Sequence, residues 1–244
     1  MNTLQQTTSS PRENHLLAGL PDAEWGRWQP GLELVDLPLG QVLSESGRTP
    51  AYVYFPTTAI VSLLYVTQDG ASSEIAVVGK DGVVGISLFM GGNATPSQAV
   101  VQSAGLAYRL RAQAVKDEVD RAGPVLMMLL RYTQALIAQV AQTAACNRYH
   151  SIDQLLCRRL LMGLDRLPTL AMVMTQELLA NLLGVRREGV TAAALKLQQA
   201  GAIRYSRGRI DVLDRQRLEQ GMGEAPVVVA NRNYYRAPAM PLAA

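Results

Sequence analysis

The hydrophobic pattern of this 244-residue chain changes once, near residue 110, and that change limits the folds available to it. Glycine and proline divide residues 30–110 into short runs, whereas residues 125–147 contain neither residue type. Short runs between turn residues are typical of strands, and a long uninterrupted run is typical of a helix. The sequence therefore predicts an α+β protein in which a β domain precedes a helical part.

Several of the short runs have the length and the β-branched or aromatic content of strands. Their spacing predicts an N-terminal antiparallel β-roll or jelly roll, which we place at residues 15–123. The runs are Ala51–Phe55, Ile60–Val66, Glu74–Val78, Gln98–Val101 and Ala107–Leu110.

Residues 124–147 are predicted to form one long helix with Pro124 in its first turn. Its apolar residues lie on two faces, so the helix needs two packing partners. We expect one face to lie on the β domain and the other to pair with a second copy; the alternative is a helix buried within a monomer. The dimer interface is assigned to Leu129, Tyr132, Leu136 and Val140, and the second apolar face carries Leu126, Leu130, Ile137 and Ala144.

A C-terminal domain is predicted at residues 148–220. Its first helix covers residues 151–166, with Ser151 as the N-cap and Pro168 as the stop. Residues 221–244 lose periodicity and are rich in Ala and Pro, so we predict a flexible tail there.

Residues 174–213 have the pattern of a helix-turn-helix followed by a hairpin. Thr175 can cap a helix over Gln176–Leu183, Gly184 supplies the turn, and a second helix follows over Arg186–Gln199. The first helix is expected to bury Leu178, Leu179, Leu182 and Leu183, and the second Val190, Ala194, Leu195 and Leu197.

The outward residues of this segment suit DNA. Arg186, Arg187, Glu188 and Thr191 lie in the first turns of the second helix, where Arg can bond guanine and Glu can accept from cytosine. Alternating runs around Ser206-Arg207-Gly208 predict a wing whose arginines touch phosphates. The predicted DNA-binding set is Thr175, Gln176, Arg186, Arg187, Glu188, Thr191, Arg207 and Arg209.

The charge distribution agrees with that assignment. Residues 1–146 carry 9 basic and 12 acidic side chains, whereas residues 147–220 carry 12 basic and 7 acidic ones. A basic second half favours a polyanionic partner, although such an excess also occurs on ordinary solvated surfaces.

The segment from Met174 to Leu213 resembles the winged helix-turn-helix of Crp/Fnr-type bacterial transcription regulators. Residues 38–47 and the later Gly-punctuated strands resemble the cyclic-nucleotide-binding-type β-roll of that family, and residues 124–147 resemble its dimerisation helix. The resemblance implies that Arg187 and Glu188 are the Arg–Glu pair of the recognition helix and that Thr175 is the helix cap. The small residue after the pair, commonly Thr in the family, is Gly189 here.

The candidate effector pocket, Gly85, Ile86, Ser97 and Gln98, departs from the family pattern. Cyclic-AMP-binding members have a Gly-Glu-Leu segment, whose Glu holds the ribose, and a later Arg-Ser or Arg-Thr, whose Arg holds the cyclic phosphate. The corresponding residues here are Gly85-Ile86-Ser87 and Thr95-Pro96-Ser97-Gln98, which carry neither charge. A cyclic phosphate would lose its main charge-assisted contact, so the sequence disfavours cyclic AMP.

Residue content gives little support for other cofactors or for catalysis. The N-terminal cysteine cluster of the iron–sulfur-binding branch is missing, and the two cysteines, Cys146 and Cys157, are interpreted as core residues. His15 and His150 are too few for a metal cluster, and we interpret them as solvated rather than as haem ligands. Without a nucleophile elbow or a Walker loop, we assign no catalytic residue and predict that the protein is not an enzyme.

These observations together predict a homodimeric, sequence-specific regulator that binds double-stranded DNA. The start of the chain lacks a signal-peptide pattern and the apolar run 125–130 is too short to span a membrane, so a cytoplasmic location without membrane contact is expected. The resemblance implies RNA polymerase and a small-molecule effector as further partners. The alternative function is a ligand-binding signalling module that acts through a protein partner.

Overall fold

The computed structural model describes residues 9–68, 72–91, 94–95, 97–167 and 171–221. The predicted tail beyond Gly221 and the predicted helix stop at Pro168 lie outside these residues.

The predicted antiparallel β-roll is confirmed. In chain order its strands are Glu33–Leu37 (β1), Val42–Ser44 (β2), Tyr52–Pro56 (β3), Ile60–Val66 (β4), Ser72–Val78 (β5), Ser97–Ser103 (β6) and Gly105–Arg111 (β7). Strands β1, β7 and β3 form one antiparallel sheet, and strands β2, β6, β4 and β5 form a second.

Two layers of apolar side chains hold this domain together. Small and β-branched residues such as Val61, Val78 and Val101 fill the space between the two sheets. The other face of the β1–β7–β3 sheet, with Phe55 and Leu110, is covered by helices. The covering helices are His15–Ala18 (α1), Asp22–Trp28 (α2), Ala112–Asp120 (α3) and Pro124–Tyr149 (α4).

Helix α4 has the predicted start and ends two residues beyond the predicted bound of 147. Leu129, Tyr132 and Leu136 pack into the core of their own β domain and are 1%, 3% and 4% exposed. Gly82 makes room for this contact, because a Cβ there would lie 2.5 Å from the Tyr132 hydroxyl oxygen. Val140 packs against the same core.

The assignment of Leu129, Tyr132, Leu136 and Val140 to a dimer interface is therefore wrong. The two apolar faces of α4 are similar in sequence, and the face that carries Tyr132, which packs over Gly82, is the one that meets the β domain. A charge at Leu136 would disrupt the core of the chain rather than separate two copies.

The exposed face of α4 carries Met127, Leu130 and Ile137, followed by Ala144. By length and mean hydropathy α4 could also cross a membrane, and it is the one such helix among the described residues. Its opposite face, however, is packed in the core of the β domain.

The C-terminal domain is a winged helix-turn-helix, as predicted. Its elements are Ile152–Leu164 (α5), Ala171–Val173 (β8), Gln176–Leu183 (α6), Arg187–Gln199 (α7), Ile203–Ser206 (β9), Arg209–Val212 (β10) and Arg215–Gly221 (α8). Ser151 caps α5 with a capping box to Gln154. The strands form one antiparallel sheet in the order β8–β10–β9.

A buried polar network joins the two domains. Arg159 Nε of α5 lies 3.1 Å from Glu74 Oε1 of β5, and both side chains are almost fully buried. The Ser62 hydroxyl contacts both Glu74 and Gln102, and Arg159 donates to Gln102 Oε1. Burial raises the pKa of Glu74 above its usual range, although Arg159 opposes this shift. Gln102 also contacts Met174 Sδ, next to the cap of α6.

A second ion pair ties the end of α5 to the β domain. Arg166 Nη2 lies 3.0 Å from Asp81 Oδ2. The Arg166 side chain passes over Gly79, where a Cβ would lie 2.9 Å from Arg166 Cγ. Two ion pairs therefore hold the C-terminal domain in its orientation. Arg159 within α5 pairs with Glu74, and Arg166 just after α5 pairs with Asp81.

Candidate nucleic-acid interface

The helix-turn-helix forms where local signals place it. Thr175 Oγ1 accepts a hydrogen bond from Leu178 N at 3.1 Å and caps α6. Gly184 ends the helix in the left-handed region at φ +64°, a conformation that favours glycine. Both positions and the bounds of α6 agree with the prediction.

Helix α7 begins at Arg187 rather than Arg186, which occupies the N-cap position. Val190, Ala194 and Leu197 are buried as predicted. Leu195 was also predicted to be buried, and this is wrong, because its side chain is 51% exposed. The helical period places Leu195 on the outward face, and Ala193 takes the fourth buried position.

Gly189, which departs from the family pattern, packs against α5. A Cβ at this position would lie 2.6 Å from Ile152 Cδ1 of α5, and the next atoms of Ile152 would lie 3.9 Å away. A larger residue at position 189 would therefore require the end of the Ile152 side chain to move.

The predicted reading residues of α7 face solvent. Arg186, Arg187, Glu188 and Thr191 are all exposed. Thr191 Oγ1 lies 2.8 Å from Gln176 Oε1, so one hydrogen bond links α6 and α7 at this surface. The same hydroxyl lies 3.0 Å from Arg187 O within α7. Within the described part of the chain, Arg186 and Arg187 have no carboxylate within ion-pair distance.

The wing is a tight hairpin fixed to the start of α6. Arg207 and Gly208 both have positive φ, +50° and +76°, as the two central residues of a type I′ turn require. Met174 N donates to Gly208 O at 2.7 Å, and the Tyr205 hydroxyl donates to Met174 O at 2.8 Å. These bonds fix the position of the wing relative to the start of α6.

The two wing arginines differ in their contacts. Arg209 Nε lies 2.9 Å from Asp211 Oδ1, so part of its charge is neutralised within the chain. Arg207 is exposed at the tip, without an ion-pair partner among the described residues. The sequence pattern did not distinguish these two residues, because the pairing depends on Asp211 lying on the same strand face.

A groove of about 450 Å³ separates α7 from the wing. It brings together five residues of the predicted set, which are Thr175, Gln176, Arg187, Thr191 and Arg207. The groove is open to solvent and has a guanidinium group on each wall. Such a surface can bind an extended anion.

The candidate effector residues make contacts within the β domain. Gly85 has φ +109° and precedes a short turn of helix at Ile86–Leu88, where Ile86 packs against the helix-covered core. Ser97 Oγ lies 2.9 Å from Thr95 Oγ1, and Gln98 Nε2 donates to Glu45 Oε2 at 2.7 Å. Pro96, which the sequence resemblance places at the position of the phosphate-binding Arg, lies outside the described residues.

The two cysteines are buried, and the two histidines lie at or near the surface. Cys146 and Cys157 are buried and unbridged, and burial raises the pKa of Cys157 to about 11, so its thiol stays protonated. His15 is exposed, and His150 follows the last residue of α4. Within the ranges that the structure describes, His, Cys, Asp and Glu form no group of three or more that could hold a metal ion.

Comparison with known proteins gives two family matches. The Crp-like helix-turn-helix domain matches residues 154–220, and the cyclic nucleotide-binding domain matches residues 34–122. None of the curated proteins matches the chain.

Solved structures share the whole two-domain fold. A protein described as a transcriptional regulator of the crp/fnr family from Eubacterium rectale has 18% identity and a TM-score of 0.69, over 86% of this chain and 99% of that one. FixK2 from Bradyrhizobium japonicum has 16% identity and a TM-score of 0.67, over 78% and 96%. A CRP family regulator from Thermus thermophilus has 19% identity and a TM-score of 0.64, over 78% and 97%. At 16–19% sequence identity, these similarities show a shared fold and nothing more specific.

Proposed function

Because this chain belongs to the Crp/Fnr family of transcription regulators, we propose that it is a homodimer that reads an inverted-repeat operator with α7. The observation that carries the proposal is the groove between α7 and the wing, with Arg187 on one wall and Arg207 on the other. Neither guanidinium has an ion-pair partner among the described side chains, so both can bind an external anion.

The residues on the two walls of the groove are proposed to contact different parts of the DNA. Arg187 and Glu188 open α7, where a side chain that enters the major groove can pair with guanine or accept from cytosine. Arg207 at the wing tip is placed to contact phosphate, which strengthens binding to any sequence. Arg209 contributes less because Asp211 already neutralises part of its charge.

The dimer is proposed to form through the exposed face of α4. Met127, Leu130, Ile137 and Ala144 repeat at spacings of three and seven residues, and the exposed Gln134 and Ala141 occupy the alternate positions between them. This is the spacing of a two-stranded helix pair. A two-fold dimer presents its two α7 helices to one side of the duplex, so half-site centres should lie one helical turn apart, roughly 34 Å.

A DNA-binding role also bears on catalysis, on further partners and on the location of the protein. Buried, protonated Cys157 is not a nucleophile, and we propose that the protein acts on transcription by binding DNA rather than by catalysis. RNA polymerase and a small-molecule effector are further proposed partners, and the cytoplasm is the proposed location.

Cyclic AMP at millimolar concentration is expected to leave the melting temperature of the protein unchanged. Residues 85–98 contain no Arg or Lys, so the cyclic phosphate has no cation in the segment that holds it in cyclic-AMP-binding relatives. A ligand at a hundredfold excess over its Kd stabilises the folded state by about 2.7 kcal/mol, which thermal denaturation detects easily. A melting shift with cyclic AMP that 5′-AMP does not produce would contradict the proposal.

Arg187→Ala and Arg207→Ala are expected to weaken DNA binding in different ways. Loss of the base contact of Arg187 should cost about 1–3 kcal/mol on the best operator and little on random DNA. Loss of the phosphate contact of Arg207 should weaken both complexes similarly and lower the salt slope of the dimer by about two, one for each chain. Fluorescence anisotropy over a salt series, with an operator selected from a random pool, measures both effects.

Arg48→Ala is the matched control, because it removes an exposed positive charge from the β domain. It should bind both kinds of DNA like the unaltered protein. If Arg187→Ala lowered specific and random binding equally, α7 would not be the reading helix. If the unaltered protein bound no DNA, the alternative of a signalling module with a protein partner would replace the proposal.

A further inference from the structure

The outward face of α7 contains an apolar strip next to its charged start. Glu188, Ala192, Leu195 and Gln199 follow at helical spacing and are all exposed, opposite the buried Val190 and Leu197. Glu188 and Leu195 lie two turns apart along the middle of this face. This exposed face of α7 therefore carries the carboxylate of Glu188 at its start and the side chain of Leu195 at its centre.

The neighbours of Leu195 are fixed in polar contacts on both sides. Thr191 is hydrogen-bonded to Gln176 on the side of the wing. On the opposite side, Lys196 Nζ lies 2.7 Å from Asp153 Oδ2 of α5. Leu195 is thus presented between two anchored side chains.

A leucine side chain has no donor or acceptor, so it cannot read a base by hydrogen bonding. In the major groove the C5-methyl group of thymine is the apolar group that protein side chains contact. Resting on the proposed DNA-binding function, we propose that Leu195, assisted by the methyl group of Ala192, determines specificity by contacting a thymine methyl group in each half-site.

The charges around the strip favour DNA over a protein partner. Arg186 and Arg187 at the start of α7 and Arg207 across the groove are exposed cations without ion-pair partners in the described structure. The one carboxylate of the strip, Glu188, can accept from cytosine N4 in the same groove. The cations here match the phosphates that flank a base methyl group in the major groove.

Helix geometry also gives the position of the thymine. Glu188 and Leu195 are separated by about 10.5 Å along the axis at 1.5 Å per residue. If α7 lies along the duplex axis, with a base-pair rise of about 3.4 Å, this distance corresponds to roughly three base pairs. The contacted thymine should therefore lie roughly three base pairs from the base pair that Glu188 contacts.

The test replaces each thymine of the selected operator, one at a time, with deoxyuridine, which lacks only the methyl group. For the unaltered protein, one such replacement per half-site should weaken binding about fourfold, the factor for one buried methylene-sized group. Leu195→Ala changes both subunits of the dimer, so it should bind the thymine operator about 16-fold more weakly, which is fourfold for each half-site. It should not distinguish the deoxyuridine operator from the thymine operator. Both proteins are compared by fluorescence anisotropy.

Leu213→Ala is the matched control, because Leu213 is exposed to the same extent but follows the wing. It should retain the full response to deoxyuridine. The inference would be wrong if no deoxyuridine replacement weakened operator binding by the unaltered protein. It would also be wrong if Leu195→Ala lost as much affinity on the deoxyuridine operator as the unaltered protein does. In either case DNA reading by Arg187 could still hold. If the unaltered protein bound the selected operator no more tightly than random DNA, the proposed function would be overturned as well.

Discussion

Replacement of Arg159 by Ala is expected to destabilise the chain by about 3–5 kcal/mol, the usual cost of removing one partner of a buried ion pair. The change leaves Glu74 buried without its cation, next to Ser62 and Gln102. Because the pair joins two domains, the C-terminal domain can separate before the β domain unfolds. In differential scanning calorimetry the variant should show two resolved transitions. The first of them should have a lower midpoint temperature than the transition of the unaltered protein.

The matched control replaces both charges, in the double variant Glu74→Leu with Arg159→Met. Apolar pairs of similar volume often substitute for buried ion pairs without loss of stability. Arg159 Nη1 has no hydrogen-bond partner within the described structure, so the charged arrangement is incompletely satisfied. The double variant should melt at or above the temperature of the unaltered protein. A single variant as stable as the unaltered protein would show that the pair does not hold the domains together.

Local signals explain which parts of the fold were predictable. Thr175, Gly184 and Ser151 each act on backbone groups within a few residues, so the ends of α6 and the start of α5 follow from the sequence. The strand Ile60–Val66 was likewise predicted within its observed bounds. Strands β1 and β2 were not located, because their residues do not alternate between buried and exposed positions.

Tertiary contacts account for the errors. The face of α4 that meets the β domain depends on the space that Gly82 leaves for Tyr132, fifty positions away in the sequence. The buried pair of Glu74 and Arg159 spans an even longer separation and places charges where composition predicts apolar residues. Leu195 was misplaced because residue type alone indicates burial, whereas its exposure follows from its place on α7.

Ile137→Glu is expected to convert the proposed dimer into a monomer. Ile137 is 59% exposed in the single chain, so a charge there leaves the fold of the monomer intact. In the dimer the same residue lies at the centre of the Leu130–Ala144 strip, and the carboxylate would be buried without a partner. Multi-angle light scattering should give a mass near 26.4 kDa for the variant and twice that value for the unaltered protein.

The loss of the dimer should also weaken operator binding by a factor of about 10² or more, because one chain can occupy only one half-site. Binding to a single half-site should change little, since α7 and the wing lie in the other domain. Leu39→Glu is the matched control, as it places the same charge at an exposed leucine of the β domain. If the unaltered protein were a monomer at micromolar concentration with full operator affinity, the exposed strip of α4 would not be the dimer interface.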